Sequence, residues 1–395
     1  MAADGPQGPW NAPKAPGEQT LRPITTPPPS LGRVNRVSVY DQLFKPRWKP
    51  WSPQKVVVFT VTFGLIMGAL VVLFPRLVSI AKVRILRVPA AAPEVPDEPA
   101  PAVAPVVVVE RADAALVRNG RSPLAGGLLM LPPAFSSADG RYDLVIHFHG
   151  NTDLVEESYA RLPLNAVVVM MNLGRNSGPY EDRFSNPLAL PEVLGRVQTM
   201  MEKRGLRTPS LNRLALSAWS AGYGGVLRIL EQPALASRID AVVLLDGIHC
   251  GYKPGTKTLI PERLAPFERF ARAAIEGKKL FSITHSEITP AGRYAGTQET
   301  TDALLQLVGV VRTQGGETPP QLTLASIDGV IAKKSIRPLV PRSEATSGGL
   351  HVRGYVGDQP ETHSMHLIEM SVTALPDLVR YWAAPTGSPA NTSQR

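Results

Sequence analysis

Cysteine is almost absent from this sequence of 395 residues, with Cys250 standing alone. A single thiol excludes an intrachain disulfide framework and a zinc site built from several cysteines. Charge is missing altogether from Val56 to Phe74, "VVVFTVTFGLIMGALVVLF". At 1.5 Å of rise per residue this uncharged run reaches about 28 Å, close to the thickness of a bilayer core. No A-x-A-like site follows it closely, and the charged segment before it is far too long for a cleavable signal peptide. The expectation is a single transmembrane helix over 56–74. Within it, Gly64 and Gly68 form a G-x-x-x-G, which can bring two helices together in a helix-mediated dimer and also arises by chance.

What surrounds that run is polar or extended. Residues 1–55 are rich in proline and hold eight basic against three acidic residues, a composition that reads as a disordered basic tail. Arg36, Lys45, Arg47, Lys49 and Lys55 precede the span and Arg76, Lys82, Arg84 and Arg87 follow it, which favours a cytoplasmic N-terminus and a C-terminal domain outside. The segment 75–105 contains "VPAAAPEVPDEPAPAVAP", a semi-rigid stalk in composition. The formal net charge is +9, but most of it belongs to the tail. Four basic residues meet three acidic ones over 56–105, leaving about +3 for 106–395, too little for a duplex-binding surface. The basic tail suits anionic lipid instead. No nucleic-acid partner is expected, and the membrane is engaged through Val56–Phe74.

From Val106 onward, β-branched runs such as "YDLVIHFHG", "NAVVVMMNLG", "AVVLLDG" and "LFSITHS" alternate with helical stretches. Helices are predicted over Pro191–Arg204, Gly222–Gln232, Pro261–Glu276, Thr300–Val308 and Met365–Trp382. Apolar strands separated by helices imply an α/β fold with a mostly parallel sheet covered on both faces, with "GGLLML" as a possible antiparallel addition. The stretch Thr313–Gly349 reads as too broken for regular elements. In such sheets chemistry gathers in the loops at the carboxyl ends of the strands.

One of those loops carries "LALSAWSAGYGG", residues Leu214 to Gly225. Ser220 sits directly after a strand and before a helix, flanked by Ala218-Trp219 and Ala221-Gly222. At so sharp a turn the neighbours must be small, and Gly224 and Gly225 let the helix pack close to the sheet. A serine placed there is exposed above the sheet, beside amides aimed at a developing oxyanion. In these residues the chain resembles the α/β-hydrolase superfamily over roughly 106–385, with Ala218 where the superfamily's G-x-S-x-G has glycine. The resemblance implies a catalytic Ser220 whose oxyanion hole is made by Ala221 and by Gly150 or Asn151 of "LVIHFHGNTD".

The resemblance also implies a histidine after the last strand, where "GDQPETHSMHLIEM" offers His363, preferred because it sits nearer the loop, and His366. Asp246 after "AVVLLDG" is the expected acid, with Glu287 after "FSITHS" as the alternative. His351 belongs at the far end of its strand. His147 and His149 form an H-x-H, but Asn151 and Thr152 stand where a metallohydrolase needs Asp and His, so no metal and no cofactor are expected. His249 and Cys250 read as pocket or core residues. Two functions follow: a membrane-anchored serine hydrolase acting on an ester-like or amide-like carbonyl of a small-molecule or lipid-like substrate, or a non-catalytic hydrolase-like module of the cell envelope.

Overall fold

The computed structural model describes residues 111–292, 294–322, 324–326 and 337–384. The expected tail, span, Gly64/Gly68 contact and stalk lie outside the described residues, as does "VVVVE" at 106–110. Among the described residues no helix is long and apolar enough to cross a membrane.

The described strands form one sheet of β1 (Ser122–Leu124), β2 (Gly127–Met130), β3 (Arg141–Phe148), β4 (Val167–Met171), β5 (Ser210–Trp219), β6 (Ala241–Leu245), β7 (Leu280–His285), β8 (Thr313–Gln314), β9 (Val340–Ser347) and β10 (Leu350–Val356). Their order is β1-β2-β4-β3-β5-β6-β7-β10-β9-β8. The centre, from β4 to β10, is parallel, and both margins pair antiparallel. Strand β2, the "GGLLML" segment, is one of the antiparallel additions.

Alternation along each strand feeds two separate cores. Val167, Val169 and Met171 of β4 join one cluster with Leu144, Ile146 and Phe148 of β3. Val168 and Met170 join the other, with Val145 and Trp219. Helices α1 (Thr152–Ala160), α2 (Gly178–Phe184), α3 (Ala189–Lys203), α4 (Tyr223–Leu230), α5 (Pro233–Ala236), α6 (Pro261–Ile275) and α7 (Thr297–Val308) are followed at the C-terminal side by α8 (Pro360–Ile368), α9 (Met370–Thr373) and α10 (Leu375–Ala383). Leu190, Val197, Val226, Phe267 and Leu304 cover the first face from α3, α4, α6 and α7. Leu154, Met365, Leu375 and Trp382 cover the second from α1, α8 and α10. A sheet buried on both faces needs apolar residues at every strand position, which is why these strands read as continuous runs rather than as alternating ones.

Two sequence expectations are corrected. The stretch Thr313–Gly349 contains β8 and the eight-residue β9. Its polar outward positions hide the period, but Gly348-Gly349 closes a two-residue hairpin that pairs Ser347 with Leu350. The single helix expected over Met365–Trp382 is three, α8 to α10: α8 already begins at Pro360 and ends at Ile368, and the break before α10 falls beside Pro376, which has no N–H to continue the preceding ladder.

The strand order places the site. From β3 the chain crosses α1 to β4 on one side and then passes to β5 on the other, so a crevice opens where the carboxyl ends of β3 and β5 diverge. Phe148, the last residue of β3, pairs with Ala218, two residues before Ser220.

Candidate active site

Trp219 is the last extended residue of β5, and Ser220 turns abruptly into the left-handed region at φ 50°. Ser220–Gly222 then make one 3-10 turn into α4. The turn is possible because nothing protrudes around it. A Cβ on Gly222 would lie 2.3 Å from the Phe148 carbonyl oxygen, and one on Gly247 would lie 2.7 Å from the Ser220 carbonyl oxygen and 2.8 Å from its nitrogen. Ala218 is wholly buried between β3 and β6, so alanine fills the place where the superfamily has glycine. His149 (φ 69°) after β3 and Asp246 (φ 44°) after β6 are also left-handed, so three neighbouring strand ends carry a non-glycine residue in this region. Each costs roughly 1–2 kcal/mol, the kind of backbone strain that collects at functional sites.

Asp246 and His363, 117 residues apart in the sequence, are brought together. His363, in the first turn of α8, donates Nδ1–H to Asp246 Oδ2 over 2.7 Å. This tautomer leaves Nε2 as the basic nitrogen. The His363 side chain is one-fifth exposed, whereas Asp246 is buried. Ser286, just beyond β7, donates its backbone N–H to Asp246 Oδ1 at 2.9 Å and its hydroxyl to Oδ2 at 2.8 Å. Thr297, the first residue of α7, donates its hydroxyl to Oδ1. Burial opposes ionisation of Asp246, but the His366 and His363 imidazoles and the Thr297 hydroxyl outweigh it and hold the carboxyl well below the usual carboxylate range. A permanently charged, fully hydrogen-bonded acid fixes the imidazole's orientation and stabilises its protonated form.

Trp219 positions the same histidine from the other side. Its indole Nε1–H donates to the His363 carbonyl oxygen at 2.9 Å, and its ring stacks on His363 at 4.8 Å between centroids. His149 also stacks on Trp219, at 5.3 Å between centroids, with Nδ1 3.0 Å from the Tyr180 hydroxyl. Burial, aided by the charge of His363, pushes the His149 pKa down to about 4, so it packs as a neutral ring.

Two cavities meet at Ser220. One, of about 320 Å³, is lined by Ser220, His363 and Asp246 together with Ile288, Pro290 and Pro360. The other, of about 420 Å³, is lined by Ser220 and Ala221 together with Arg175, Glu181 and Arg263. His249 and Tyr294 line both. His249 is fixed there by Nδ1–H donation to the Ala295 carbonyl oxygen at 3.1 Å and by edge contacts with Tyr223 and Tyr294. Burial lowers its pKa below the ordinary imidazole value.

Other expected residues lie elsewhere. Glu287 pairs with Arg342 at 3.2 Å and accepts the Gly357 N–H at 3.0 Å, so the alternative acid is replaced by Asp246 in contact with the histidine. His366, the alternative base, is wholly buried with Nδ1 2.8 Å from the Thr284 hydroxyl, and burial pushes its pKa down to about 4. The Gly150 N–H already donates to Asn172 Oδ1 at 3.1 Å, while Asn172 Nδ2 donates back to the Gly150 carbonyl. That reciprocal clamp corrects the expectation that Gly150 donates to an oxyanion. Asn151 caps α1, its Oδ1 accepting the Leu154 N–H.

The H-x-H pair also separates, because His147 is buried with Nδ1 2.9 Å from the Ser217 hydroxyl whereas His149 has left the strand. His351 is the second residue of β10, far from the carboxyl edge, and Cys250 is buried with its thiol 3.3 Å from the Ile260 carbonyl. Sequence reasoning did not find Ser286 and Thr297. Their only signal is a hydroxyl just past a strand and another at a helix start, which many sequences carry without consequence.

No family model matches the chain, and no curated protein matches it. Among solved structures it is similar to TT1662 from Thermus thermophilus, at 14% identity and TM-score 0.33, over 67% of this chain and 99% of that one. It is similar to an S-formylglutathione hydrolase from Agrobacterium tumefaciens at 11% identity and TM-score 0.33, over 64% and 95% of the two chains. It is also similar to the enterobactin esterase FES from Shigella flexneri at 12% identity and TM-score 0.34, over 71% and 60%. Likenesses this weak carry nothing about activity. What the chain itself provides is a mostly parallel sheet with helices on both faces and a left-handed Ser220 at the turn after β5.

Proposed function

We propose that the protein is a serine hydrolase acting on an ester-like carbonyl through an acyl-enzyme. The observation that carries the reading is the hydrogen bond from His363 to the buried Asp246, on the cavity that the left-handed Ser220 also lines. Ser220 Oγ attacks the carbonyl carbon and its proton passes to His363 Nε2. The backbone amides of Ala221 and Asn151 receive the oxyanion. As the tetrahedral intermediate collapses, the alcohol leaves with the proton from Nε2. Water, deprotonated by the same nitrogen, then attacks the acyl carbon and releases the acid and free Ser220. Asp246 keeps its charge throughout and supports the imidazolium.

In this reading the domain stands outside the cytoplasm on a stalk anchored by 56–74. Protease added to intact cells then removes the domain, and full protection reverses that topology. The enzymatic claim is tested by hydrolysis of 4-nitrophenyl acetate with the full-length protein and with Ser220→Ala. Turnover that disappears in the variant supports the reading. Equal rates for both proteins refute it and leave the non-catalytic module.

A further inference from the structure

The two cavities at Ser220 differ chemically, and on the serine-hydrolase reading each belongs to one half of the substrate. A leaving alcohol must take its proton from His363 Nε2, so it occupies the cavity that His363 lines. The acyl group then runs past Ala221 into the other cavity, which His363 does not line.

The leaving-group cavity is walled by Ile288, Pro290, Pro360 and Tyr294, and the acidic side chains on it are Asp246 and Asp358. An anion is repelled there. The acyl cavity instead carries Arg175 and Arg263 against one carboxylate, Glu181. Glu181 is already occupied, accepting from Arg263 Nη1 and Arg228 Nη2, each at 2.8 Å, and from the Ser177 hydroxyl at 3.1 Å. Burial opposes its ionisation, yet Arg263 and Ser177 hold its pKa below the usual value, so it remains charged. Glu181 therefore anchors the Arg263 guanidinium, whose side chain stays about one-third exposed. A guanidinium has five donors in a fixed fork suited to a second carboxylate. Asn176 and Ser177 add neutral polar groups to the same wall.

We infer that the substrate's acyl group ends in a carboxylate held by Arg263 and Arg175, and that its leaving group is an uncharged, mainly apolar alcohol or phenol. The substrate class is thus the half-ester of a dicarboxylic acid. This rests on the serine-hydrolase reading above, and the experiment separates the two.

Mono-4-nitrophenyl adipate and 4-nitrophenyl hexanoate share leaving group and chain length, and differ by a carboxylate in place of a methyl group. For the full-length protein kcat/KM should favour the adipate ester by about tenfold or more, the worth of one charge-assisted hydrogen bond. The preference should shrink toward unity in Arg263→Gln and in Arg175→Gln, mainly through KM. The wild-type ratio needs no variant, so misfolding of either leaves the test intact. Hydrolysis of hexanoate as fast as or faster than adipate overturns the inference while the hydrolase reading stands. An adipate preference that survives both substitutions also overturns the assignment to these arginines. Failure to hydrolyse either ester removes the reading and the inference with it.

Discussion

The ends of β6 and β7 offer the same feature, a carboxylate just past an apolar strand, and use it in opposite ways. Asp246 after β6 is buried, meets four hydrogen-bond donors and holds His363. Glu287 after β7 reaches outward to Arg342 and to the Gly357 amide. β7 supplies the brace instead, through Ser286. A strand-end carboxylate becomes a histidine's partner when its neighbours supply donors that keep it charged under burial, and the type of residue alone does not decide that.

That comparison breaks most readily at Asp246. Asp246→Asn keeps the shape but favours the wrong imidazole tautomer, and kcat for ester hydrolysis should fall by roughly 10³–10⁴. A loss of less than tenfold removes Asp246 from its assigned role. Acid unfolding probes the β7 side, where burial pushes the His285 pKa down to about 3 and that of His366 to about 4. Above the ordinary value of 6.5 neither the folded nor the unfolded chain holds these protons. As pH falls from 6.5 toward 4, the unfolded chain binds protons that the folded chain refuses. Stability then drops by up to about 1.4 kcal/mol per pH unit for each histidine. Urea midpoints should decline over that window, with a shallower slope in His366→Gln. Midpoints that stay flat from pH 6.5 to 4.5 contradict the burial argument.

Smaller effects sharpen the same contrast. Ser286→Ala removes the hydroxyl bond to Asp246 but keeps the backbone one, so kcat should fall by about tenfold with KM little changed. An unchanged kcat makes the brace structural only. Glu287→Gln should leave kcat/KM within about twofold, because a partly exposed ion pair contributes little. A hundredfold loss there reinstates Glu287 as the acid.

Much of this was legible because local chemistry forces it. The two-faced sheet shows in its β-branched runs, and Ser220 shows because small residues cluster only where backbones nearly touch. Gly247 reads in sequence only as a small residue after Asp246, because its main constraint is contact with the Ser220 backbone, a tertiary fact. His363 and His366 lie one turn apart in sequence and are told apart by tertiary contacts, His363 with Asp246 and His366 with Thr284. The Gly150 assignment failed because Asn172, 22 residues later, engages its amide. Strand β9 escaped notice because a polar margin strand lacks the apolar period of the centre. The Trp219 stack on His363 joins residues 144 apart and has no local signature.

The central claim is that Ser220 is a nucleophile activated by His363. A fluorophosphonate probe added to the full-length protein, followed by digestion and mass mapping, tests it without knowledge of the substrate. The account predicts a single adduct on the Ser220 peptide, absent from Ser220→Ala and strongly slowed in His363→Ala. An unlabelled protein with several probes, or an adduct on another serine that persists in Ser220→Ala, contradicts it.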